Sequence, residues 1–542
     1  MMIKKQRFWV MVCAAAALAT VWKAIFLAVE AFPFNSDEAI VSLMARHILQ
    51  GARPVFFYGQ AYMGSLDAYL AAGGFALLGE RVMVIRLVQM VLYAGFLMSM
   101  SAAVRAAFES DEAGIWTAFL LAIPSVNMTL YTTVSLGGYG EALLIGGLQT
   151  WLAVITVKRL ELNETRSGFF WLAGLGLGFW TGLGVWANAL SLVFTAPAAL
   201  IVLFKAARST LERRGSSLWI FALTFLAGGL AGALPWWGFA FEHGFDHLLG
   251  ELTGSAVAVE QGSYLSRLAQ HSVNFLLLGL PVLLGVRPPW EIRWLALPLA
   301  PLALVFTGLS TAYFAKKTWQ ERGFYLLFAL SALALVGGFL LTSFGVDPSG
   351  RYFLPLGAFL AVCGGVFLAA KSPNRRLAWI AVGLVMVFHA AGTVQSALRN
   401  PPGLTTQFYA PAQVDHRYAP DLIEFLEANQ LTRGYTNYWV AYPLAFLSQE
   451  ELIYIPALPY HPDLRYTARD NRYAPYNDIV AQADRIAYIT THNEPLNQQL
   501  RGEFERLGAA WEEKTIGDYV VFYHLNPMLR VDDLNLDLIE AE

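Results

Sequence analysis

Long apolar stretches, nearly free of charge, run through the first 395 or so residues and constrain the fold before any motif is weighed. A helix needs about 20 apolar residues to cross a bilayer. Eleven runs approach or exceed that length, at about 8–29, 83–107, 112–131, 138–158, 169–187, 189–205, 218–240, 295–315, 323–344, 352–370 and 377–394. The chain is 56% hydrophobic and 14% charged, where soluble domains carry about 45–50% and about 25%. An ordinary soluble enzyme is excluded, and an α-helical polytopic membrane protein of about eleven transmembrane helices is expected. Forty-six glycines and 14% aromatic residues within apolar runs also exclude disorder, collagen and coiled coil. The net charge is −3 with no basic block, so no nucleic-acid partner is expected. Cys13 and Cys363 lie inside apolar runs and read as small core hydrophobes.

Charge placement gives the expected orientation. Lys4, Lys5 and Arg7 precede the first run and put the amino terminus in the cytoplasm. A cleaved signal peptide is the competing reading of AAAALAT, disfavoured by the length of the run and the multispanning sequence after it. The basic connections 158–166, 205–214, 316–322 and 371–376 are expected on the cytoplasmic side. The stretch 271–286, interrupted by Gly279 and Pro281, is expected to be re-entrant, since a full crossing would place KKTWQER outside. The same parity puts 30–82, 135–141, 241–294, 347–352 and the carboxyl terminus outside.

From about residue 395 the apolar runs shorten, and charges and prolines rise. We therefore divide the chain into a transmembrane domain, 1–395, carrying external loop helices at about 36–80, and a soluble extracytoplasmic α/β domain, 396–542. In the latter, strands are expected at 432–439, 451–456, 485–490 and 519–525, in a partly parallel sheet.

The spans hold few ionisable groups, whereas ion-coupled transporters usually carry them there. Lys23 and Arg86 lie near span ends and read as snorkelling side chains. The first external loop is richer. A helix starting near Ser36 places Ile40, Leu43, Met44 and Ile48 on one stripe, and is expected to lie along the membrane surface. Asp37 continues that stripe, while Glu38 points about 100° away. Asp37 is either a helix-start carboxylate, worth about 0.5–2 kcal/mol, or a functional group. Tyr58, Gln60, Tyr62, Ser65 and Asp67 add polar groups. Glu141 sits at a span entrance, where an acid needs a partner or a task. Arg351 and Tyr352 follow the turn DPSG, and an arginine there suits either a clamped phosphate or lipid headgroups.

The order of SDEA, YGQAYMGSLDAYLAA and a late GRYFLP resembles the C-type (GT-C) glycosyltransferases. Within them it looks most like prokaryotic relatives of protein O-mannosyltransferases and aminoarabinose transferases. The resemblance covers about residues 1–395. It implies a GT-C fold in a prokaryotic inner membrane, and a sugar taken from a polyprenyl-phosphate carrier to a protein, glycan or glycolipid acceptor outside. It makes Asp37, with its neighbour Glu38, the catalytic candidate. It makes Arg351 the carrier-phosphate ligand and gives Glu141 the place of a second-loop acid; Glu141, Tyr352, Tyr58 and Gln60 are the further substrate-binding candidates, the loop aromatics having interfacial anchoring as their alternative. Glu141 stands where several relatives have aspartate, and no histidine is near it in SLGGYGE. A divalent cation on Asp37 and Glu141 is thus a variant rather than a requirement. The competing classes are a lipid-linked-sugar flippase or other transporter, and a non-catalytic scaffold.

Overall fold

The computed structural model describes residues 2–162, 167–213, 217–254, 263–399 and 403–540. Parts of the basic connections 158–166 and 205–214, and residues 255–262 of the segment 241–294, lie outside the described residues. The described chain forms two compact units, one of Met1–Val29, Tyr62–Asp67 and Arg86–Leu398, the other of Glu30–Ala61, Ala68–Ile85 and Arg399–Glu542.

In the first unit, eight described helices are long and apolar enough to cross a membrane, from Gln6–Ala28 to Arg375–Ala397. A ninth candidate is the pair Leu218–Gly232 and Leu234–His243, bent by 64° where Pro235 opens the second helix. The two remaining expected spans are altered. The run 112–131 is split into Asp111–Ala122 and Val126–Tyr131 around Pro124, which has no amide to continue the helix. The run expected at 295–315 becomes the helix Ala300–Glu321. The stretch expected to begin at 271 starts earlier, in a helical run from Tyr264 to Leu283 that includes a π turn at Asn274–Gly279.

Glycines make one close helix pair possible. A Cβ on Gly178 or Gly182 would sit 2.0 Å from the Phe225 carbonyl oxygen or 2.1 Å from that of Gly229. On the facing helix, Gly228 and Gly232 meet the carbonyls of Leu175 and Phe179 at 2.2 and 2.1 Å in the same sense. Backbones can touch along this seam only because side chains are missing, as in small-xxx-small membrane packing. Lys23 does not snorkel. It is 1% exposed, donates to the Thr132 carbonyl and to Thr132 Oγ1 at 2.6 Å, and lies 3.8 Å over the Tyr93 ring.

The second unit holds a five-stranded mixed sheet: β1 Arg433–Thr436, β2 Ile453–Pro456, β3 Ala487–Thr491, β4 Ala510–Ile516 and β5 Tyr519–Asn526. The order is β2-β1-β3-β5-β4; β1 runs parallel to β2 and β3, and β5 is antiparallel to β3 and β4. Leu422, Leu426, Leu444, Tyr454, Ile489 and Val521 form its core. Strand β4 was not expected, because its AWEEKTI sequence is mostly polar and edge-exposed. The expected strand 432–439 stops at Thr436, since the Asn437 side chain accepts from the Trp439 amide at 3.0 Å and starts the helix Tyr438–Leu447.

The first-loop helix, Ser36–Leu49, belongs to this second unit, packed on the helix Tyr438–Leu447. The expected single apolar stripe is corrected: Ser36 and every residue from Glu38 to His47 are buried, so the helix is enclosed on nearly all sides. Arg46 donates to Glu80 at 2.8 Å and to the Phe446 carbonyl at 3.1 Å, which lets a charged residue be enclosed.

Candidate functional site

Each unit contributes a separate group of candidates. In the second unit, Asn35 caps the helix Ser36–Leu49, its side chain accepting from the Glu38 amide. Asp37 is therefore in the first turn without being the cap. Its carboxylate is fixed at both oxygens: Tyr438 Oη donates to Oδ1 at 2.7 Å, and Thr406 Oγ1 donates to Oδ2 at 2.8 Å. Asp37 is half-buried, whereas Glu38 is 1% exposed. Asp37 thus faces protein, as its place on the stripe implies, whereas Glu38, about 100° away, is also enclosed because that flank of the helix is covered rather than solvated.

Around this carboxylate, Arg472 lies 5.6 Å over the Tyr438 ring. Arg472 donates to the Gly59 carbonyl at 3.1 Å and, with the Gln60 amide turned to accept, to Gln60 at 2.9 and 3.0 Å. Asp470 is pushed up to about 6 by burial and, against the pull of Arg472, by the negative charge of Asp37. Tyr438 is held above its usual range by burial and then by Asp37, so its phenol keeps the proton it donates. Tyr58, in a turn after the helix, lies beside the last turn of Ser36–Leu49. It hydrogen-bonds His47 Nδ1 at 3.0 Å and stacks on Tyr473 at 4.7 Å. His47 Nε2 reaches Glu450 at 3.0 Å, and Tyr476 donates to the same oxygen at 2.7 Å. Burial favours protonated Glu450, but these hydrogen bonds outweigh it and hold the carboxyl below its usual value. Tyr58 and Gln60 thus brace the loop.

In the first unit, Gly350 has φ 89° and its carbonyl accepts from Asn127 Nδ2 at 2.9 Å, turning the chain into the helix that carries Arg351. Arg351 Nε is 2.6 Å from Asp347 Oδ2, and the guanidinium lies 4.9 Å over the Tyr352 ring. Tyr62 and Tyr139 are electrostatic neighbours of the same guanidinium. Tyr62, Tyr139 and Tyr352 line one cavity of about 350 Å³ whose other walls include Leu190, Val193, Leu335 and Phe339. An aromatic, hydroxyl-bearing wall close to a cation thus leads into an apolar space.

Glu141, in the first turn of the helix Tyr139–Glu161, is beside Asp67, a loop acid to which the sequence gives no site role. Both are buried. Asp67 Oδ1 accepts from Gln89 at 2.8 Å, and Oδ2 accepts from Ser135 at 2.7 Å and from the Gly137 and Gly138 amides at 3.1 and 3.3 Å. Burial pushes Asp67 upward against those bonds. Among the described residues, neither Glu141 oxygen completes a hydrogen bond and no group of three His, Cys, Asp or Glu forms a metal-ligand set. With Asp67 already accepting four hydrogen bonds, the pair is poorly fitted to hold a cation. The signal for Asp67 was its position in LDAYLAA, an acid opening an apolar helix.

The chain has the GT-C fold. ArnT from Cupriavidus metallidurans bound to undecaprenyl phosphate superposes with a TM-score of 0.61 at 12% identity, over 94% of this chain and 97% of that one. Its apo state gives 0.58 at 12% identity, over 95% and 97%. The Archaeoglobus fulgidus oligosaccharyltransferase in complex with Zn and sulfate gives 0.50 at 12% identity, over 89% of this chain and 68% of that one. No family model matches the sequence, and no curated protein matches it.

Proposed function

We propose that this protein is a membrane glycosyltransferase that moves a sugar from a polyprenyl-phosphate carrier to an acceptor hydroxyl or amine on the extracytoplasmic face. The observation that carries this reading is the cavity of about 350 Å³, apolar along the membrane helices and bounded by Tyr62, Tyr139 and Tyr352 next to Arg351. A carrier with an isoprenoid tail and one phosphate needs that combination, and the ArnT structure with undecaprenyl phosphate has the same fold. The amino terminus is then cytoplasmic, and the second unit, with Asp37, is outside.

The reaction is a displacement at the anomeric carbon. Asp37 takes the acceptor proton, the acceptor oxygen or nitrogen bonds to that carbon, and the carbon–oxygen bond to phosphate breaks. The polyprenyl phosphate leaves with the electron pair, and Arg351 stabilises the charge that develops there. Glu38, the neighbouring catalytic candidate, is buried at 1% exposure, so Asp37 is the carboxylate assigned to the acceptor. A flippase would not need a carboxylate held between two hydroxyl donors.

The test is transfer of labelled sugar from a panel of polyprenyl-phosphate hexoses and pentoses by the purified full chain. Asp37→Asn is expected to lower the rate about 10²–10⁴-fold, the usual contribution of a positioned base, with undecaprenyl phosphate binding retained. A correctly folded Asp37→Asn protein that transfers at the native rate overturns the assignment.

A further inference from the structure

We infer that Thr406 and Tyr438, which follow the membrane spans in the chain, are positioning residues for the Asp37 carboxylate, so that the C-terminal region is part of the transfer machinery. The inference rests on Asp37 being the base. A carboxylate has about four lone-pair sites. Here one on each oxygen is taken, by Tyr438 Oη at 2.7 Å and Thr406 Oγ1 at 2.8 Å. That fixes the plane of the group while leaving other lone pairs for an acceptor proton, and Asp37 keeps partial exposure for an acceptor to arrive.

Both donors are themselves held. Thr406 is 6% exposed, and its oxygen accepts from Asn35 Nδ2 at 2.7 Å, which directs its own proton toward Asp37. Tyr438 is 5% exposed; its carbonyl accepts from Ser36 Oγ, and its ring contacts Arg472 and the rings of Trp439 and Tyr442, the latter two 4.9 and 5.7 Å away. Neighbouring residues Asn35 and Ser36 thus orient the two groups that orient Asp37. A carboxylate needed only to offset a helix dipole requires neither donor. A base that must be held within about 0.5 Å of a productive geometry requires this kind of support.

The experiment uses the full chain in membranes, at equal protein level, in cells lacking the native copy. It follows by mass spectrometry the glycoconjugate that disappears when the protein is removed. Tyr438→Phe and Thr406→Val are each expected to slow its formation on the order of 10-fold, since misplacement of about 1 Å can cost 10²-fold. Thr406→Ser, which restores the hydroxyl, recovers most of the loss. Affinity of the purified variants for undecaprenyl phosphate stays within about two-fold of native, because neither hydroxyl is placed on the carrier. Tyr454→Phe, which removes a buried phenol bonded to the Leu431 carbonyl at 2.7 Å, controls for loss of stability and keeps the native rate.

Native rates in both Tyr438→Phe and Thr406→Val, with Asp37→Asn inactive, overturn the inference and leave the base intact. So does a failure of Thr406→Ser to recover activity. A native rate in Asp37→Asn, or no glycoconjugate lost on removing the protein, overturns the functional reading and this inference with it.

Discussion

On the proposed reading, the neighbours of Arg351 prepare its side chain for the carrier phosphate. Its Nε is engaged by Asp347 at 2.6 Å, and the face of the guanidinium rests on Tyr352. That leaves the planar fork aligned, and a fork suits phosphate oxygens in a way a lysine point charge does not. Arg351→Ala should weaken undecaprenyl phosphate binding by about 10–100-fold, with Arg351→Lys in between. Titration with native mass spectrometry checks this, and equal affinity in Arg351→Ala and the native chain would remove Arg351 from the phosphate site. Asp470 sets a different test. Its carboxyl is pushed up to about 6. A raised carboxyl contributes stability that is complete below its unfolded value near 4 and is lost as pH climbs through about 6. Asp470→Asn should therefore gain little at pH 4 and roughly 1–3 kcal/mol over the native protein at pH 7. Thermal unfolding across that range reads the difference, and a gain that shrinks toward neutral pH contradicts the stated direction.

At the scale of elements, the apolar runs were legible because hydrocarbon imposes a length on each of them, whereas the breaks near Pro124 and Pro235, which split one run and bend another by 64°, interrupt them from within. The edge strand Ala510–Ile516 was hidden because its exposed positions carry glutamates and a lysine, which suit an unpaired edge and resemble a loop. The helix Ser36–Leu49 was placed correctly but given one buried stripe instead of an enclosed circumference. Periodicity reports the helix, and the residues that cover its other faces lie about 400 positions away, as Phe446 does from Arg46. The glycine seam is written openly, in GLGLGFWTG at 174–182. Gly178→Leu puts a branched side chain where the Phe225 carbonyl already lies 2.0 Å from the Cβ position, and should destabilise the helix pair by at least about 2 kcal/mol. Gly168→Ala is the comparison, since a Cβ there meets nothing within 4 Å. If the two variants unfold at the same temperature, the seam is not a close-packed contact.

Across the whole molecule, the second unit is assembled from distant parts of the sequence, and this explains why the candidate site was only half legible. Asp37 stood out by its place in the first turn of an apolar-striped helix. The hydroxyls that hold it are 369 and 401 residues further on, at Thr406 and Tyr438, with no local pattern to mark them. A boundary drawn where composition changes, near residue 395, assigns the first loop to the membrane domain; the compact unit joins 30–61 and 68–85 to the residues after Leu398. The consequence is physical. A chain ending at Leu398 loses the Phe446 carbonyl and Glu450 that satisfy Arg46 and His47, along with both donors to Asp37. Buried polar groups stripped of partners cost about 1–3 kcal/mol each, and the apolar surface of Ile40, Leu43 and Met44 is exposed as well. The truncated chain should therefore retain its membrane helices but be cut by protease within 30–85, where the full chain resists, and should transfer no sugar. Limited proteolysis read by mass spectrometry decides it. Protection of 30–85 in the truncated protein would mean that the first loop folds without the C-terminal region, and that Thr406 and Tyr438 are not needed to hold it in place.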